Sequence, residues 1–348
     1  MSTVRPVGLA RNASFARKAK RAAGRKAGKP KSRFYLVAQR IARRFEPPVA
    51  AAFIAAVKRL QNQIDLATLE SAVASGNVNL ILAAVAGGGD LESIMEAARL
   101  ARLFQATATA TGAASAEILT GVTGLTATFN AIDPSVVMYA RTQAGLLIRA
   151  VSEDVREAVR IVVATAQVQG ITTKGQARAI REVVGLPPNW VNAPLNLGKE
   201  LRAGTFTESR RLSAVDKTRI RSRLKRGTVD EPFIQEMQKR YADSLINRRA
   251  KNIARTETLR SSNFGMRTSW RQAVKDGVLP PTAKRVWVVT PDDRLRETHA
   301  RVPGMNPGGV QLEGGAYQTP LGPSSGPPLE PNCRCSEGLI FPGLTGVL

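Results

Sequence analysis

Residues 330–341 read EPNCRCSEGLIF and hold both cysteines of the chain, Cys333 and Cys335. The end of the stretch, CSEGLIF, has the composition of a β-strand, and AKRVWVVT at 283–290 is a second run of that type. Between them, PDDRLRETHARV reads as a capped turn or short helix, with Asp292 or Asp293 as the cap. Residues 303–331 read as a Gly/Pro-rich loop. Upstream, apolar residues recur at helical spacing instead. The expected fold is mostly α with a small α+β domain at the C-terminus. Expected boundaries are a disordered basic tail at 1–32, a helical domain at 33–245 and the α+β domain at 246–348.

On an extended chain, side chains at i and i+2 fall on one face, so both thiols can approach a common target. They are poorly placed to bond one another, because that spacing holds the Cα atoms roughly 6.5–7 Å apart. Two cysteines in 348 residues form no disulfide framework and suit a reducing compartment. The only histidine, His299, lies thirty-four residues before Cys333. Two readings stand. In one, a reduced thiol pair packs the last strand while His299 bonds a backbone carbonyl. In the other, His299, Cys333 and Cys335 share a zinc ion, with Glu257, Asp293 or water completing the shell. No other cofactor is expected.

Little else resembles catalytic chemistry. Every histidine-dependent mechanism must use His299, and the chain contains no Gly-rich phosphate loop or HExxH. In IARTETLRSSN, Glu257 can pair with Arg260 at i, i+3, which reads as helix structure. The chain is expected not to be an enzyme.

The helical pattern begins near Ser32 and is expected to break at Pro47 and Pro48. LATLESAV and VNLILAAV read as short helices, and a further one grades into the Ala/Thr-rich stretch at 103–131, where helix and loop are hard to separate. The clearest helix follows Asp133-Pro134, with Ser135 as a plausible cap, and stops by Gly170. Val137, Ala144, Ile148, Val151, Val155, Val159 and Val162 share one of its faces. TTKGQARAIREVVGLPP gives a short helix, and basic helical segments follow. A long helix is expected from about Asp243 to Lys275, with Gly265 as a weak point.

Net charge is +24, and it is uneven. Residues 1–45 hold fourteen Lys and Arg and no acid. Such a segment condenses on phosphates by counterion release without reading bases. Arg17, Lys18, Lys20, Arg21, Arg25, Lys26, Lys29, Lys31 and Arg33 are the candidate DNA contacts. Aromatic residues are sparse there, so base stacking is not indicated. No apolar run follows the basic start as a secretory signal requires. The stretch at 103–131 falls short of the ~20 apolar residues of a membrane span.

The order ARTETLRSSNFG, a strand with Trp287, DDRLRETHARVPG, a Pro/Gly loop and PNCRC resembles the phage head morphogenesis family, the Mu F-like or SPP1-type minor capsid proteins. The resemblance covers roughly 246–342, and more loosely the helices upstream. It implies a low-copy head protein made in the host cytoplasm, residing inside the virion near the portal vertex. Implied partners are the portal protein, packaged DNA, and scaffold or major capsid protein. Family positions carry over to Arg255, Thr256, Glu257, Asp293, Arg296, His299, Asn332, Cys333 and Cys335. Rival readings are a sequence-nonspecific DNA-binding protein without a head role, a metalloenzyme built on His299 and the thiols, and a virion protein ejected with the DNA.

Overall fold

A computed structural model describes residues 32–87, 97–290, 292, 294–344 and 346–348. The basic positions from Arg17 to Lys31 lie outside them, as does Asp293. The described chain is mostly helical with a small antiparallel sheet near its C-terminus, as expected.

Helix α1 (Arg33–Gln63) starts at Ser32, whose Oγ accepts the Tyr35 N–H at 3.1 Å. It runs on through Pro47 and Pro48, where a break was expected. Both prolines are exposed, and buried residues lie on either side of them: Phe34, Ala38 and Ala42 before, Val49, Phe53 and Leu60 after. Packing of those residues offsets the roughly 3 kcal/mol that an interior proline costs a helix. Helices α2 (Leu66–Ala74) and α3 (Val78–Ala86) are capped by Asp65 and Asn77. Helix α4 (Ala97–Thr123) takes in most of the Ala/Thr-rich stretch.

The cap of α5 (Pro134–Val168) is Asp133 rather than Ser135. Asp133 Oδ1 accepts the Ser135 N–H at 2.8 Å, and Pro134 occupies the first helical position, where a missing N–H costs nothing. Then come α6 (Thr173–Val183), α7 (Pro188–Arg202) and α8 (Ala214–Arg226). Helix α9 (Glu231–Lys275) begins twelve residues before the expected Asp243. Asp230 Oδ1 caps it by accepting the Phe233 N–H at 3.0 Å, and Pro232 falls harmlessly in the first turn.

The chain divides into two compact units, each discontinuous in sequence, unlike the linear division expected at 245/246. One comprises residues 46–87, 97–104 and 137–254 of the described chain and is helical. Ala144, Ile148, Val151, Val155, Val159 and Val162 of α5 are buried in its core with Phe53, Ile81, Phe104, Ile180 and Met237. Val137 is half-buried.

The other unit contains residues 32–45, 105–136 and 255–348 of the described chain. Its helical part is held by Phe34 meeting Trp270 edge to face at 5.1 Å and by small residues of α4 against α9. Thr111 Oγ1 donates to Ser262 Oγ at 3.2 Å. A Cβ on Gly265 would stand 2.0 Å from the Ala108 carbonyl oxygen. Gly265 is therefore the point of closest helix approach, not a weak point, and the Ala/Thr-rich stretch supplies the facing surface.

After α9 come β1 (Lys284–Val288), α10 (Glu297–Ala300), α11 (Val302–Met305), β2 (Val310–Gln311) and β3 (Ser336–Ile340). Strand order is β2-β1-β3, with both pairings antiparallel and Trp287 opposite Glu337. The short β2 lies within the segment read as loop. Arg285 Nη1, buried, donates to buried Glu337 at 2.6 Å, and Arg285 also donates to the carbonyls of Gln311 and Ser325. One guanidinium thus ties the 303–331 segment to both neighbouring strands.

Candidate functional site

The site is built on a turn. The Cys333 N–H donates to the Glu330 carbonyl at 3.1 Å, closing a four-residue turn with Pro331 and Asn332 at its centre. Pro331 fixes its own φ, and Asn332 sits at φ +63°. Positive φ at the third position after a proline is the type II arrangement, and Asn tolerates it better than other non-glycine residues. This explains why the strand is entered through Glu-Pro-Asn-Cys.

Residues distant in sequence lock that turn in place. Arg255 Nη1 of α9 donates to Asn332 Oδ1 at 2.9 Å. The Asn332 N–H donates to Thr256 Oγ1 at 2.8 Å. Arg296 Nη2 donates to the Pro331 carbonyl at 3.0 Å. Downstream, the Arg334 carbonyl accepts from Thr290 Oγ1 at 2.7 Å and Gln39 Nε2 at 2.9 Å. The Arg334 side chain pairs with Asp292.

So held, the turn aims both thiols at His299 of α10. His299 Nδ1 lies 3.4 Å from Cys333 Sγ and 3.7 Å from Cys335 Sγ. On the opposite ring edge, Nε2 lies 2.8 Å from Glu330 Oε2. A carboxylate only accepts, so Nε2 carries the proton and Nδ1 is left facing sulfur. All three residues are buried. Trp287, Val302 and Tyr317 pack around the thiols, and Trp287 meets Tyr317 edge to face at 5.2 Å.

These contacts separate the two thiols electrically. Cys333 is held below the usual thiol range, first by the hydrogen bond from Cys335 and then by His299. Cys335 is pushed up by donating that bond and by burial. His299 is raised by its bond to Cys333, with Glu330 adding to the effect and burial opposing it.

Among the described residues, His299, Cys333 and Cys335 are the group whose ligand atoms could share one metal ion, all within 4.8 Å of one another. Glu257 is not in that group. It is buried on α9 and accepts from Arg260 Nη1 at 2.5 Å, the i, i+3 pair read from sequence. The carboxylate that does reach His299 is Glu330, which the sequence reading passed over although it stands three residues before Cys333. Asp292 caps no helix: its Oδ1 accepts the Arg294 N–H at 3.0 Å, and Arg296 precedes α10 without a side-chain cap.

The order of these parts along the chain is matched by a known family. Residues 215–337 fit the family described as Phage Mu protein F like protein. Over these residues the chain is similar to the Mu F-like family. The match starts at residue 215, not near 246, so it takes in nearly all of α8 and all of α9 as well as the turn and the sheet up to the start of β3. The Mu F-like stretch ends at Glu337, just past the thiols, and it points to phage head morphogenesis. Neither the curated proteins nor the solved structures give a match to this chain. No described helix is long and apolar enough to cross a membrane.

Proposed function

We propose that the chain is a minor head protein that joins the portal during procapsid assembly and meets packaged DNA through its basic N-terminal segment. The Mu F-like match carries this reading. Charge supports it from an independent direction, because fourteen cations without an acid suit a neighbourhood of dense phosphate. In this proposal the role is one of assembly rather than catalysis, and the protein stays inside the head near the portal vertex. Scaffold and major capsid protein are the remaining surfaces it would meet there.

The division of labour is tested by comparing the full chain with one lacking residues 1–31. Each phosphate neutralised contributes about −0.9 to the slope of log K against log salt on duplex DNA. Removing the segment should flatten that slope by several units while co-purification with portal persists. Loss of portal association on removing only the segment, or an unchanged slope, contradicts the proposal.

A further inference from the structure

We infer that His299, Cys333 and Cys335 bind a zinc ion through Nδ1 and the two sulfurs, with Glu330 as the residue that orients the imidazole. This goes beyond the head-protein reading and does not depend on it.

The geometry is the first support. Zn–S bonds of about 2.3 Å and a Zn–N bond of about 2.0–2.1 Å at a tetrahedral angle place each sulfur roughly 3.6 Å from the nitrogen. The observed separations are 3.4 and 3.7 Å. Both nitrogen–sulfur separations therefore match those of ligands to one ion, and all three ligand atoms lie within 4.8 Å of one another.

The second support is the Glu330 contact. A histidine that ligates a metal through one nitrogen commonly donates its other N–H to a carboxylate, which fixes tautomer and ring plane. Glu330 Oε2 at 2.8 Å from Nε2 does this, and it turns Nδ1 toward the sulfurs. A buried histidine that merely filled space would need neither the carboxylate behind it nor two thiols in front.

The third is space. His299, Cys333 and Cys335 line a pocket of about 70 Å³ that they share with Arg255, Asp292 and Arg296. A bound water needs only about 10–15 Å³ on that measure, so a fourth, solvent ligand can complete the tetrahedron. Two thiolates and an imidazole favour zinc over the hard cations magnesium and calcium, which take oxygen ligands. The ion would join two stretches separate in sequence: α10, and the run from the Glu330 turn into β3.

The test uses the full chain, purified without chelators and kept reduced. Elemental analysis should find about one zinc per chain. After its removal, titration with cobalt(II) should give the visible d–d bands and the ultraviolet sulfur-to-metal charge-transfer band of a tetrahedral thiolate site. X-ray absorption of the zinc form should resolve two sulfur and two lighter neighbours. Cys333→Ser with Cys335→Ser should abolish the charge-transfer band. Glu330→Gln should retain one equivalent but weaken affinity about 10- to 100-fold. Absence of stoichiometric zinc together with no cobalt spectrum on the folded wild-type chain overturns the site. Unchanged affinity in Glu330→Gln overturns the role given to that residue.

Discussion

Arg255 and Asn332 are joined by a 2.9 Å hydrogen bond across seventy-seven residues of sequence. The bond links the middle of a long helix to a turn held at positive φ, and every other contact of the site follows from where that turn sits. Thr256 takes the same residue's N–H, so successive positions of α9 read the side chain and the backbone of Asn332.

Two substitutions separate these contributions. Asn332→Gly keeps the left-handed backbone but loses the bond from Arg255, and should lower stability by about 1–2 kcal/mol. Asn332→Ala loses the bond and also strains the backbone, adding about 1 kcal/mol. Urea unfolding of both variants checks the order. Equal stability of the two would mean that backbone conformation contributes nothing here.

Glycines inside two helices should behave oppositely. Gly265 faces the Ala108 backbone, which cannot retreat without moving α4, so Gly265→Ala should destabilise by about 3 kcal/mol. Gly145 on α5 has nothing within 4 Å of an added Cβ, so Gly145→Ala should stabilise by about 0.5–1 kcal/mol. Thermal unfolding of both proteins decides the matter.

Glu182 makes stability depend on pH. Burial raises its pKa to about 7, against the downward pull of Arg181, Arg178 and Lys239. The folded chain then holds this proton more tightly than the unfolded chain does. Its contribution is fully present below the unfolded value and is lost as pH rises from about 4.5 through about 7. The loss should be on the order of 1–3 kcal/mol. Glu182→Gln should flatten that part of the stability profile and leave the variant the more stable form at pH 8. A profile of the same slope in both proteins removes Glu182 as the cause.

Much of this was legible beforehand, for identifiable reasons. The face of α5 from Ala144 to Val162 is periodic and buried, so pattern alone found it. The strands around Trp287 and Leu339 were readable because their composition contrasts with a helical chain. Pro47 and Pro48 misled because local preference for a break is outweighed by burial on both sides of them. Gly265 misled because helix propensity describes an isolated helix, whereas its partner Ala108 lies more than 150 residues upstream. At the site, the thiols and His299 were identified as residues that could converge, but periodicity carries no distance across thirty-four residues. Glu330 was overlooked because a turn, not a helix or strand, brings it to the imidazole.

The claim on which the functional account turns is membership of the phage head, and mass spectrometry of purified virions tests it most directly. The account predicts peptides of this chain in virions or procapsids at a small fraction of the major capsid protein's copy number. Its absence from both particles, with the chain recovered only in the lysate bound to DNA, would contradict a head role.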